Sequence, residues 1–525
     1  MNPRRSRTAI LLLVVLSLIV FAVFAYSLRS GFAYDSFEEI LCWDFIHDPA
    51  NLLTALTFRV MEMDVLDFNR PVAVTSFMLD SLLWGKEPFG YHLTNNLLHV
   101  LAACLVFLLI RHILLQCNSS RDPDWSSLSA FLATLVFALH PVVTEAVCEP
   151  ANRKDILAAV FGLGALLLAI RHDPKTGHGD ILRIFLCTLL CLLSMGSKEA
   201  GIAFPVILLL YWFLFRRGEP GTFWAWSIAG GATASAAFLF ARFALEHRPS
   251  EIFLEPPVYP GGSFGQALLI QPRILALYAF NLSWPLYLCA DYNDYSVRNF
   301  TLPLSLFLLT LITAPLVWWS FKDRRVRFGV GFAIASLLPV CNLVPIYHPV
   351  ADRYLYLPLV GLVLLVAVFL DSRLVRAKAS RRYVAAVIVV IIVAMLIPIT
   401  WQREKVWSTE ISLWQDTLER NPRSMSARVD LPEALLRAGR VEEAKQQSEA
   451  TLQTPCVANP WVWVDYAIEL ERLGNHAAAM QAAKRAITLK PDVIDALKMV
   501  RTLQCPQEIA TEFSHISVLL PTSKQ

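Results

Sequence analysis

A chain of 525 residues with 56% apolar and only 17% charged side chains is too poor in charge for a soluble globular protein, which averages roughly 25%. Its net charge of +3 is small and dispersed, which excludes a nucleic-acid-binding surface. The composition requires an integral, multi-pass membrane protein, read as all-α.

Runs near the roughly 20 apolar residues that cross a bilayer mark about eleven spans. The first, at about 8–28, follows Arg4, Arg5 and Arg7 and reads as an uncleaved anchor. A long loop, 29–90, opens on Tyr34-Asp35-Ser36-Phe37-Glu38-Glu39 and continues through Asp44, Asp64, Asp67 and Arg70 to a helix expected from Pro71 to Trp84. The second span, 91–112, begins with His92, Asn95 and His99 on one helical face. The third, 126–146, ends in His140-Pro141 and Glu145, and Asn152-Arg153-Lys154-Asp155 leads into the fourth, 156–171. The fifth, 180–197, ends in Ser197-Lys198-Glu199, and runs at 200–215 and 222–245 follow. Residues 266–288 are apolar, but Gln271-Pro272-Arg273 and Trp284-Pro285 break them, so they read as an interfacial or re-entrant helix. Spans at 302–321, 327–346, 355–371 and 383–400 complete the set, with Asp352-Arg353-Tyr354 before the tenth.

Basic residues orient these spans. Arg4/Arg5/Arg7, Arg111/Arg121, Arg171/Lys175/Arg183 and Arg216/Arg217 fall on alternate connections, as do Lys322/Arg324/Arg325/Arg327 and the cluster from Arg373 to Arg382. Those connections are expected to be cytoplasmic, along with the N-terminus. An odd number of spans then puts everything after Trp401 outside, beside the acidic stretch.

That tail repeats. Gly439 recurs as Gly474 and Ala444 as Ala479, each 35 residues on, with Pro455 and Pro491 closing the units. The pattern fits a tetratricopeptide-repeat α-solenoid over 401–525, with repeats at about 424–455 and 458–491 and a partial third to about 510. Such repeats bind a partner protein or brace the membrane body; both readings stay open. The ten cysteines form no metal spacing. Cys187 and Cys191 read as small core hydrophobes, and Cys456 and Cys505 would pair only in an oxidising compartment.

The polar groups that stand out all fall on the outer loops or outer span ends. Ionisable groups in or near a span are costly, so their gathering on one side points to a shared polar cavity. A carboxylate there can take a proton from an attacking hydroxyl, and arginine or lysine can hold a departing phosphate.

Phe32-Ala33-Tyr34-Asp35, Arg70-Pro71, Pro88-Phe89-Gly90-Tyr91-His92-Leu93-Thr94-Asn95, Arg153-Lys154-Asp155, Ser197-Lys198-Glu199 and Ala351-Asp352-Arg353-Tyr354-Leu355-Tyr356-Leu357-Pro358 occur in the order seen in one family. From about residue 30 to 360 the chain resembles the transmembrane-and-tetratricopeptide-repeat protein O-mannosyltransferases and their bacterial relatives. The resemblance implies a C-type glycosyltransferase fold over 1–400, with a catalytic acid in the first outer loop. It further implies a polyprenyl-phosphate-linked sugar as donor (mannose in the animal members) and no cofactor beyond an open question of metal. On it, Asp35 is the expected base, with Glu38 or Glu39 as substitutes, because Ser36 stands where the family has a second acid. Arg353, Lys198 and Arg153 would hold the donor phosphate, and His92, Glu145, Asp352 and Tyr354 would contact sugar or acceptor. The acceptor would be a protein, or an envelope glycan or lipid, on the periplasmic side of a bacterial inner membrane. The rival reading is a non-catalytic, membrane-anchored repeat scaffold that assembles an envelope complex.

Overall fold

The computed structural model describes residues 3–62, 69–116, 123–172, 180–218, 221–245, 259–292, 300–374, 379–454 and 459–490. Helices make up the regular structure of these residues, and no strand occurs among them. Asp64, Asp67, Arg121, Lys175, Cys456, Cys505 and the partial third repeat lie outside them.

Among the described residues eight helices are long and apolar enough to cross a bilayer, and the pair Pro123–Leu139 and Pro141–Cys148, bent by 52°, makes a ninth if it is one span. Two further expected spans are helices that fall outside these. The Arg153–Ile170 helix carries three charges in its first turn, and the Arg324–Leu337 helix has 14 residues before a tight turn at Leu338–Val340. The Phe264–Ser283 helix is absent from the membrane-length set, in keeping with its polar breaks.

Burial sorts the bundle into centre and rim. The Asp352–Asp371 span is 83% buried and runs through the middle; Leu302–Lys322 is 6% buried and Tyr383–Val406 22%. Phe307, Leu311 and Phe321 on one, and Val387, Ile391 and Met395 on the other, are exposed. So much uncovered hydrocarbon suits lipid rather than water. Cys187 and Cys191 are buried in the core, as small hydrophobes are.

Where helices break within the bundle, side chains from other helices take up the freed backbone groups, as an apolar medium demands. At the Leu139–Pro141 bend, His99 reaches the Ala138 carbonyl at 3.0 Å and Thr400 donates to the Leu139 carbonyl at 2.9 Å. At the end of the first helix, Asn96 donates to the Phe24 carbonyl and Trp401 to the Val23 carbonyl, at 2.9 and 3.0 Å. These polar plugs tie the broken ends to neighbouring helices.

The tail forms two helix–turn–helix units, Met425–Arg437 with Val441–Leu452 and Pro460–Arg472 with His476–Leu489. Gly439 and Gly474 end the first helix of each at φ +74°, a left-handed value that glycine adopts without strain. The matching glycines in the sequence are therefore matching turns. Ala444 and Ala479 are both buried between paired helices.

Candidate active site

The loop after the first span is pinned at both edges before it reaches its acid. Gly31 donates its N–H to the Ser408 carbonyl at 3.1 Å and accepts at its own carbonyl from the His92 ring at 3.1 Å. His92 is fully buried, so its place is to hold the loop rather than to face a cavity. Tyr34 then adopts φ +53°, a left-handed value that costs a non-glycine residue on the order of 1 kcal/mol or more. The surroundings enforce it. The Tyr34 ring packs against Trp407 and Trp414, with centroids 5.9 and 5.5 Å away, and its hydroxyl meets the His348 ring at 3.3 Å.

This reversal turns Asp35 outward from the loop. Its carboxylate is half-buried and makes no hydrogen bond or ion pair among the described residues. It lies within electrostatic reach of Arg353, His348, Glu38 and Glu149.

Ser36, in the place of the family's second acid, is fully engaged. Its N–H donates to Glu149 at 2.7 Å, its hydroxyl donates to the same Glu149 oxygen, and that hydroxyl accepts from the Ala151 N–H at 2.8 Å. Glu149 is fully buried, and burial pushes its carboxyl well above the usual range, against the pull of Ser36. Ser36 and Glu149 thus fasten the turn that carries Asp35.

The two glutamates offered as substitutes for Asp35 differ. Glu39 is held by Lys154 at 2.9 Å. Glu38 reaches solvent, yet protein packed around its carboxyl, followed by the Glu433 and Asp35 carboxylates, pushes it up to about 7.

Two cations gather on the Tyr354 ring, and one of them, Arg353, lies within electrostatic reach of Asp35. Arg353 is buried and ion-paired through Nη1 to Glu145, which also accepts from the Arg353 backbone N–H at 2.9 Å; Nε and Nη2 have no hydrogen-bond partner among the described residues. Its guanidinium stands 5.3 Å from the Tyr354 ring centre, and the Lys198 ammonium stands 5.2 Å from the same ring. One aromatic ring therefore supports two cations. Lys198 is also paired with Asp155 at 2.6 Å. His348 completes the group: burial, then the Arg353 charge, holds its imidazole below the usual range, Asp35 pulling the other way. At neutral pH it is an uncharged hydrogen-bonding group between the acid and the cations.

Asp352, next in the chain, does not join them. It accepts from Tyr292 and Asn281, at 2.8 and 3.0 Å, and anchors the turn from behind.

Arg153 is placed elsewhere altogether. Fully buried, it gives Nε to Asn95 at 2.6 Å, Nη1 to the Ser76 carbonyl at 3.2 Å, and Nη2 to the Tyr91 carbonyl at 2.9 Å and Asp80 at 2.5 Å. Its whole fork is spent on joining the first loop's helix to the bundle, so nothing remains for a phosphate. Arg153→Met is expected to destabilise the protein by about 3–5 kcal/mol, because Asp80 is left charged and buried. A thermal melt in detergent checks this, and adding Asp80→Asn should restore part of the loss.

Sequence reasoning brought Asp35, Arg353, Lys198, Glu145 and Tyr354 to one place and missed His348, Glu149 and Asp80. Among the described residues no group of three or more His, Cys, Asp or Glu is arranged to hold a metal ion. What the arrangement can do is take a proton at Asp35 while Arg353 and Lys198 stabilise negative charge facing it.

No family model matches the chain. It is 28% identical over 486 residues to "Protein O-mannosyl-transferase Tmtc3" of Drosophila melanogaster, a match covering 80% of this chain and 52% of that protein. It is 26% identical over 454 residues to "Protein O-mannosyl-transferase F38B6.6" of Caenorhabditis elegans, covering 83% and 61%. The human "Protein O-mannosyl-transferase TMTC4" matches at 26% over 370 residues, covering 61% and 49%. The chain thus spans about half to three-fifths of the length of these relatives. Among solved structures, ArnT from Cupriavidus metallidurans bound to undecaprenyl phosphate superposes with a TM-score of 0.42 at 12% identity, over 95% of this chain and 81% of that one. The resemblance carried by the ordered motifs is borne out: over most of its length the chain is similar, at 26–28% identity, to proteins named protein O-mannosyl-transferases.

Proposed function

We propose that the chain is an inverting membrane glycosyltransferase, which moves a sugar from a polyprenyl-phosphate donor to a hydroxyl of a protein acceptor. The acceptor oxygen attacks the anomeric carbon and the bond from that carbon to the phosphate oxygen breaks. The bonding pair leaves on the phosphate, and the acceptor proton passes to Asp35. Arg353 and Lys198 take up the charge that develops on the phosphate, which removes the need for a general acid. His348 orients between the two groups.

The observation that carries this reading is the unpaired Asp35 carboxylate facing Arg353, whose guanidinium still has free donors. Each is what one half of the transfer requires. The names of the relatives support a mannosyl transfer to protein. The charges between spans support a site on the outer side of the membrane, with the N-terminus cytoplasmic; in a bacterial inner membrane that side is periplasmic. The tail, as a tetratricopeptide-repeat domain, would stand on the same side.

The test uses membranes carrying the native chain, given radiolabelled polyprenyl-phosphate sugars in turn, with label followed into protein, glycan and lipid. Label in protein, dependent on the chain, is the expected result. Label in glycan or lipid alone would overturn the protein acceptor, and no label from any donor would favour the scaffold.

A further inference from the structure

The tail's first helices carry acids at matching positions. Asp430 on Met425–Arg437 recurs 35 residues on as Asp465 on Pro460–Arg472. Glu433 follows Asp430 by three residues and Glu469 follows Asp465 by four, so each pair shares a face of its helix. The two helices pack side by side, and all four carboxylates lie within electrostatic reach of Asp465 or of one another.

The row continues into the membrane body. Arg437, on the same helix as Asp430, stands 4.1 Å over the Phe37 ring and pairs with Glu433 and with Glu410 at 2.6 Å. Beside Phe37 is Glu38, exposed and in reach of both Glu433 and Asp35. An acidic track thus runs from the repeats to the catalytic loop, with Arg437 the cation at its middle.

Arg437, with Lys445 in electrostatic reach of Glu469, does not balance it. Asp465 is 6% exposed and its Oδ2 has no partner among the described residues; Glu469 is fully buried and, beyond its bond to Ser448 at 2.6 Å, leaves Oε2 without one. Buried carboxylate oxygens without hydrogen-bond partners also occur at Glu149 and Glu404, but the two in the tail are set apart by the other acids crowded against them, which a bound cation would relieve. The bland alternative is a pair of neutral, protonated acids that serve only packing.

We infer that this track binds the acceptor polypeptide through lysine or arginine side chains, which seat on the repeat carboxylates while the acceptor hydroxyl reaches Asp35. Charge complementarity selects the occupant, because a cationic side chain satisfies the lone oxygens and separates the crowded acids. The inference rests on the glycosyltransferase reading for its purpose, though not for its test.

The test is fluorescence anisotropy of a labelled peptide of alternating serine and lysine, titrated with the full chain in nanodiscs of uncharged lipid. The matched serine–glutamate peptide is the control. Expected are salt-sensitive binding of the lysine peptide, none of the glutamate peptide, and affinity weakened about tenfold or more by Asp465→Asn. Asparagine keeps the shape, so neutral packing acids would leave affinity unchanged; that result overturns the inference. If Asp465→Asn fails to fold, Asp430→Asn at its half-exposed position must show the same loss, and unchanged affinity there overturns it equally. Equal binding of both peptides also overturns it. Lysine-peptide binding in a chain that transfers no sugar would sink the enzymatic reading and leave this one standing; transfer without peptide preference would do the reverse.

Discussion

Asp35→Asn is expected to lower sugar transfer by about 10²–10⁴-fold, the span that a positioned general base contributes, with no fall in thermal stability. Both halves follow from one fact. Among the described residues Asp35 makes no hydrogen bond or ion pair, so its replacement breaks none there, while an unpaired acid within electrostatic reach of Arg353 and His348 is lost as a proton acceptor. Asparagine also keeps the size of the side chain, so Tyr34 and Ser36 hold their places around it. Initial rates of label transfer and a melt of the same preparation check the pair of outcomes. Neighbouring changes should separate differently. Glu39→Gln removes the charge that pairs with Lys154, and its effect should appear in stability as well as rate. Glu38→Gln should leave the chemical step nearly intact. Transfer that survives Asp35→Asn would move the base elsewhere.

The second large effect is expected at Arg353. Arg353→Lys keeps the charge but loses the planar fork, one arm of which is taken by Glu145 while the others stay free. Lysine placed there has to choose between Glu145 and a phosphate. The expected loss of transfer is about 10²–10³-fold, comparable to removing one donor from a transition-state anion site. Arg353→Ala should add a stability cost of about 3–5 kcal/mol, because Glu145 is then buried without its partner. Combining Arg353→Ala with Glu145→Ala separates the two effects: stability should largely return and transfer should not. Rates and melts of the three variants check this, and recovered transfer in the double variant would show that Arg353 acts only as a structural counter-ion.

Much of the architecture was legible because hydrocarbon and charge act over whole segments. Apolar runs marked the spans, and the twin glycines at 439 and 474 marked turns that the backbone confirms. Two expected spans stand apart from the rest in composition: Arg153–Ile170 carries three charges in its first turn, and Arg324–Leu337 has only 14 residues. Both pack largely against protein, as the Asp352–Asp371 span does. The site was legible in part. Asp35 and Arg353 stood out as ionisable groups at span ends, but Arg153 looked the same and proved to be a buried tie. Sequence shows that a cation is present near a membrane; it does not show which anion meets it after packing. Asp80 and Glu149, far along the chain from Arg153 and Ser36, decide that. His348 was passed over because its role depends on Tyr34, and no periodicity links those two positions.

The contact of Gly31 with Ser408, and of Phe37 with Arg437, has a consequence for how such chains can be recombined. Residue 401 looks like a seam in the sequence, since polarity changes there. Mechanically it is not one, because the segment that carries the acid rests on both sides of it. A chimera that joins this bundle to the tail of a relative at that seam should express and insert. It should still turn over slowly on any acceptor, until the facing residues of loop and tail are exchanged together.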